Sequence, residues 1–228
     1  MKQFSLKKST YEPLLDGLVW QTGAQLNGDA SIEVILNVPF MGYNAVRVYN
    51  NGFITFGVNN GTFMPITTKS PISNTVKGWA CDYVFSAFGG NLCASNQGTP
   101  QISFGYKINN DFVIQYQDLA ILNSPLTRTT FQIVLKTDGT VQYVYGGNLV
   151  GQSGAVSPQV GYRGKTELVN NIYTYPEWLN RKLITGDWNV LEENSNYPNN
   201  SNGTMPSSAM AWKDTTLLPN EGLTFEWK

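Results

Sequence analysis

The sequence predicts an all-β protein, an antiparallel β-sandwich of jelly-roll-like type, on three observations. Apolar and polar residues alternate over short segments, turn formers separate those segments, and no window longer than ten residues shows a convincing helical period. The stretch "TTFQIVLKTDGTVQYVYGG" (129–147) shows the pattern best. Phe131, Ile133 and Leu135 alternate with Gln132 and Lys136, and Asp138-Gly139 supplies a tight turn. Val141, Tyr143 and Tyr145 then share one face of the returning strand.

Earlier segments repeat this logic. "SIEVILNVPF" (31–40) precedes "AVRVYNNGFITFG" (45–57), with Asn50-Asn51-Gly52 as the turn; Asn-Gly supplies the positive φ values of tight hairpin loops. "QISFGYKI" (101–108) and "DFVIQYQDLAIL" (111–122) meet across Asn109-Asn110. The best helical candidate is "PEWLNRKLI" (176–184), with Pro176 in the first turn and Trp178, Leu179, Leu183 and Ile184 as its apolar members. The segment from about 186 to 212 is polar and turn-rich, above all "EENSNYPNNSNGTMPSS" (192–208), and reads as a long loop. "GLTFEWK" (222–228) closes the chain as a strand, with Leu223, Phe225 and Trp227 on one face. With neither repeat nor linker, residues 1–228 are expected to form a single domain.

Composition narrows the functional classes. Charged residues make up 14% of the 228 residues and the net charge is −1, against roughly 25% charged in an average soluble domain. Lys and Arg form no run, so nucleic acid is excluded as a partner. No stretch of 18 apolar residues exists, so no membrane insertion is expected. The opening "MKQFSLKKSTYEPLLDG" lacks the apolar core of a secretory signal. Cys81 and Cys93 are the only cysteines, either buried thiols or a disulfide closing a short loop across Gly89-Gly90.

The chain contains no histidine. That removes Ser-His-Asp and Cys-His catalysis and histidine-containing zinc sites, and two cysteines cannot make a four-cysteine site. A glycoside hydrolase needs only two carboxylates flanking a cleft. Asp82, Asp118 and Glu226 stand nearest strand ends, and solvated or hydrogen-bonded carboxylates are the simpler reading of all three. No phosphate cradle is present, since "GGNLVGQSG" (146–154) lacks the Lys-Ser/Thr ending. No cofactor or metal is called for; a calcium ion held by loop carbonyls leaves no sequence trace and stays open. Sequons at Asn60, Asn199 and Asn202 matter only in a glycosylating host.

"NNGFITFG", "WACDYV", "FVIQYQDL", "TTFQIVLKTDGTVQYVYGG" and "VGYRG" occur in the order seen in nidogen-like extracellular domains. The chain also resembles a β-sandwich domain of bacterial surface and secreted proteins, from its "FSLKKSTYEPLLDG" opening to its "PNEGLTFEWK" close, over about residues 4 to 228. The resemblance implies an extracellular, non-catalytic module, usually one part of a larger adhesin, with no catalytic residues to carry over.

Late aromatics supply the candidate ligand-binding residues: Tyr173, Tyr175, Trp178, Trp188, Tyr197 and Trp212, interleaved with Asn and Asp. Aromatic faces with nearby amides and carboxylates suit sugars and also protein contacts; the simpler alternative is that the tryptophans close one end of the core. The expectation is thus a non-enzymatic recognition or adhesion module, extracellular or at a cell surface, binding a glycan or a surface protein through residues 173–212. A second expectation is a phage virion surface protein (capsid decoration, fibre or receptor-binding), assembled as a symmetric oligomer. Such a protein leaves by lysis and needs no signal, and the chain begins at Met1 directly ahead of the first motif.

Overall fold

A computed structural model describes residues 4–57, 81–122, 124–147, 159–164, 167–169, 172–174, 178–180 and 221–228. Two antiparallel sheets face each other across one core. Numbered in chain order, the first sheet runs β1 (Phe4–Lys8), β16 (Leu223–Trp227), β11 (Val141–Gly146), β10 (Ser124–Leu135), β9 (Phe112–Ile121), β8 (Gln101–Tyr106) and β2 (Leu18–Thr22). Strand β7 (Leu92–Ala94) pairs with the end of β9. The second sheet runs β15 (Trp178–Asn180), β12 (Gln159–Arg163), β6 (Tyr83–Gly89), β5 (Phe53–Phe56), β4 (Tyr43–Tyr49) and β3 (Ser31–Phe40). A separate hairpin joins β13 (Glu167–Val169) to β14 (Ile172–Thr174).

The expected alternation holds in the core. Phe131, Ile133, Leu135, Val141, Tyr143, Tyr145, Phe225 and Trp227 are all buried in the main cluster between the sheets. The Asp138-Gly139 turn forms as the sequence predicts, with Leu135 opposite Val141, Gly139 at φ +84°, and Thr140 N donating to Asp138 Oδ1 at 3.0 Å.

One expectation is corrected. Trp178–Asn180, read from sequence as part of a helix over 176–184, is strand β15, paired with Gly161–Arg163. Two turns of weak helical periodicity lose to a ladder already templated by β12. Among the described residues the helical element is a single 3-10 turn, Gly23–Asn27. Of the two readings of the cysteines, buried thiols or a disulfide, the structure has the former. Both are buried thiols, Cys81 packed with Tyr49, Phe53 and Val84 beside the second sheet and Cys93 on β7 of the first.

The Asn50-Asn51-Gly52 turn forms, but it is not a solvent-facing tip. Asn50 and Asn51 are each 1% exposed. Asn50 Oδ1 accepts from Ala30 N at 3.0 Å and its Nδ2 donates to Gly28 O, while Asn51 Nδ2 donates to Asp29 Oδ1 at 2.9 Å. Short amides here replace missing backbone partners, which is what lets a turn be buried.

The outer face of the first sheet is also covered. Strands β1 and β2 lie at opposite edges of that sheet, so residues 9–17 cross its face as a strap. Tyr11 and Leu14 pack on Val113, Val134 and Val144. Gln115 Oε1 accepts from Tyr11 OH (3.1 Å), Leu14 N (2.8 Å) and Gln132 Nε2 (2.9 Å), and Gln132 Nε2 also donates to Glu12 O at 2.8 Å. Gly146 makes room for the strap: a Cβ there would lie 3.2 Å from the Tyr11 ring. Among the described residues no helix is long and apolar enough to cross a membrane.

Candidate functional site

One end of the second sheet gathers aromatic and acidic groups at the surface. Tyr43 opens β4, Phe56 ends β5, and Tyr83 opens β6 opposite Phe56. Asp82 N donates to Phe56 O at 2.8 Å, extending the ladder one residue beyond β6. The next residue along β5 is Gly57 at φ +66°, where a Cβ would lie 2.4 Å from Asp82 Oδ2. Glycine therefore lets the carboxylate sit against the backbone, where Tyr43 OH donates to Asp82 Oδ2 at 2.7 Å.

Burial, and then the hydrogen bond to Asp82 and its charge, push the Tyr43 hydroxyl well above the usual phenol range. Tyr43 therefore keeps its proton and remains a donor, fixing one carboxylate oxygen. The Tyr43 and Tyr83 rings meet edge-on at 6.0 Å, and both are only partly buried. A rigid aromatic floor lies beneath them. Tyr43 packs on Phe56 at 5.6 Å and Tyr83 on Phe85 at 6.3 Å, while Phe85 contacts Tyr162 and Trp227 at 5.9 and 4.9 Å.

Of the candidates read from sequence, Tyr173 lies on β14, paired with Leu168, and Trp178 opens β15. Tyr175, Trp188, Tyr197 and Trp212 lie outside the described residues, as do the sequons at Asn60, Asn199 and Asn202. Trp178 pairs with Arg163, and Arg163 with Val84, the residue after Tyr83. Strand register thus brings Trp178 to the same sheet end as Tyr43, Asp82 and Tyr83. Sequence reasoning missed both tyrosines as surface candidates, because each sits in a strand like the fully buried Tyr143 and Tyr145. Tyr83 carried one signal, its place at the start of a strand immediately after Asp82; Tyr43, which follows Gly42, carried none.

The three carboxylates considered for acid–base work do not converge. Asp118 sits at a bulge of β9 with φ +51°, accepts from Thr99 N at 2.8 Å, and lies 3.4 Å from Arg128 Nε. Glu226, on β16, is held by Lys7 and Gln142. Asp82 belongs to the opposite sheet, bonded to Tyr43. Each has a structural partner, and no two flank a common cleft. Among the described residues, no three His, Cys, Asp or Glu side chains group as a metal site would require. A cavity of about 20 Å³ beside Leu36, Pro39, Tyr106 and Lys136 has room for about one water.

No curated protein and no solved structure matches the chain. A family model described as NIDO related matches residues 3–228, nearly the whole length, and the chain belongs to that family.

Proposed function

We propose that this chain is a non-catalytic, extracellular recognition module of adhesion type, folded as one domain over residues 1–228, that binds a glycan at the end of the second sheet. The observation that carries this reading is the Tyr43–Asp82 hydrogen bond beside the half-exposed Tyr83 ring. A sugar needs an aromatic face for its C–H side and fixed acceptors for its hydroxyls. Asp82 is such an acceptor, because Tyr43 and Gly57 hold it in place before any ligand arrives. Strand register places Trp178 at the same sheet end, in line with Arg163 and Val84, and Tyr173 stands on the β13–β14 hairpin between β12 and β15 in the chain. Family membership and the separation of the three carboxylates support the non-catalytic part.

A site of one or two rings and a few hydrogen bonds binds in the millimolar range, about −4 kcal/mol, and gains avidity when displayed in many copies. The test is retention of multivalent protein on a broad glycan array. Wild type should be retained; Asp82→Asn and Trp178→Ala should lose retention at least tenfold while keeping the wild-type melting temperature within a few degrees. Absence of glycan retention by wild type, or variants that bind as well as wild type, would reject the glycan assignment.

A further inference from the structure

The two sheets end on one flank, at β2 and β3, each with a single strand neighbour among the described residues. Six of the seven large apolar side chains left exposed by the described residues lie on or beside these strands: Leu15, Leu18, Val19, Ile35, Val38 and Ile108. Trp20, Ile32 and Val34, from the same two strands, are only partly buried against the core. The outer face of the first sheet, by contrast, is covered by the strap of residues 9–17.

The open stretch of β3 can be delimited. Asn50 N donates to Ala30 O at 3.1 Å on the β4 side. Backbone groups alternate in an antiparallel ladder, so Ser31, Glu33 and Ile35 turn theirs away from β4. Asn37, next in that series, donates its N–H to Tyr106 OH of the first sheet at 2.6 Å, and Pro39 follows. Among the described residues, the edge is therefore closed after residue 36 and open from 31 to 35.

We propose that this edge pairs with the β3 edge of a second copy of the chain, antiparallel and two-fold symmetric, centred on Val34. An isologous contact requires a self-complementary surface, and this register provides one. It sets Val34 against the partner's Val34, Ile32 against the partner's Leu36, and Glu33 against the partner's Ile35. The half-buried row of Ile32 and Val34 then continues into a matching row. A register centred on Glu33 would place two carboxylates directly opposite, which destabilises a sheet. Centred on Val34, each Glu33 keeps its own Arg47 at 3.1 Å, and Pro39 falls outside the open stretch. Monomers rarely expose a contiguous apolar patch beyond a few hundred Å². Six side chains of this size approach the roughly 800 Å² per partner that a specific interface buries.

Sedimentation equilibrium of the full chain tests this. Wild type should show a reversible monomer–dimer equilibrium. Ile35→Pro removes an N–H that no described residue of the same chain accepts and suits an unpaired edge, so it should raise the dimer dissociation constant at least tenfold. Val34→Cys should give an interchain disulfide under mild oxidation, because opposite residues of a non-hydrogen-bonded pair come within bridging distance. This readout decides the matter if Ile35→Pro fails to fold. Wild type that stays monomeric would mean that the flank serves another chain, and overturns the proposal. An Ile35→Pro dimer of undiminished strength, or a dimer whose Val34→Cys form does not cross-link, overturns it as well.

Discussion

Tyr116, on β9 of the first sheet, donates its hydroxyl to the carbonyl oxygen of Tyr49 on the second sheet at 2.8 Å, and lies 3.3 Å from Phe53 O. Those carbonyls flank the buried Asn50-Asn51-Gly52 turn. Tyr143 and Tyr145 repeat the device, reaching Gly161 O at 2.7 Å and Ala87 O at 2.6 Å. Three tyrosines of one sheet thus fasten the backbone of the other, each ring fully inside the core. A hydroxyl in that position must bond or be penalised, so the three fix how the sheets sit on one another.

Tyr116→Phe should therefore destabilise the fold by about 1 kcal/mol, since it removes a buried hydrogen bond without changing the ring. Urea unfolding would show a lower midpoint with an unchanged slope. A neutral substitution would mean that the bond contributes nothing net.

Two glycines at similar φ separate steric need from conformational need. Gly52 has φ +86° and a Cβ there would lie 2.3 Å from Phe88 O; Gly139 has φ +84° and nothing within 4 Å. Gly139→Ala should cost only the left-handed penalty, about 1–2 kcal/mol. Gly52→Ala adds a backbone collision and should exceed about 3 kcal/mol or prevent folding. Equal losses in paired thermal melts would contradict the packing described around the turn.

The contrast shows what was legible in the sequence. The 129–147 hairpin could be read in advance because its period-two alternation and Asp-Gly turn are local. The Asn50-Asn51-Gly52 turn was legible as a turn, but its burial depends on Gly28, Asp29 and Leu92, distant partners that no local pattern reveals. The strap over residues 9–17 was illegible for the same reason. It has no periodicity, and its role appears only when β1 and β2 occupy opposite edges of one sheet. Trp178 was recognised as an aromatic of interest yet placed on a helix, because three residues cannot announce a strand whose partner is β12. Tyr43 lies far from Asp82 in sequence, and only the pairing of β4, β5 and β6 brings its hydroxyl to that carboxylate.

The cysteines give a direct chemical test. Denatured without reductant, the protein should take up two alkyl groups, one each at Cys81 and Cys93. In the native state alkylation should be slow, because both thiols are buried and burial pushes the Cys93 thiol up, leaving little reactive thiolate. An unmodified denatured protein would reveal a bridge and refute the separation of Cys81, beside the second sheet, from Cys93 on the first.

The clasp at Glu226 predicts an acid-sensitive attachment of the N-terminal strand. Glu226 lies on β16 between Lys7 of β1 and Gln142 of β11, and is bonded to both. Burial alone would raise its carboxyl, but the bonds from Lys7 and Gln142 and the charge of Lys7 outweigh that and hold it below its ordinary 4.5. A carboxyl depressed in the folded state contributes stability that is fully present above 4.5 and is lost as pH falls through the folded value. Glu226→Gln keeps the shape and removes the titration. Its stability should fall below wild type near neutral pH, and the difference should shrink as pH drops below 4.5. The gain is modest and salt-sensitive because Lys7 is 40% exposed. Urea midpoints for both proteins across the acid range decide it, since the other carboxylates cancel in the comparison. A difference that stays constant with pH would show that Glu226 acts by packing alone, and that β1 is not held to β16 by charge.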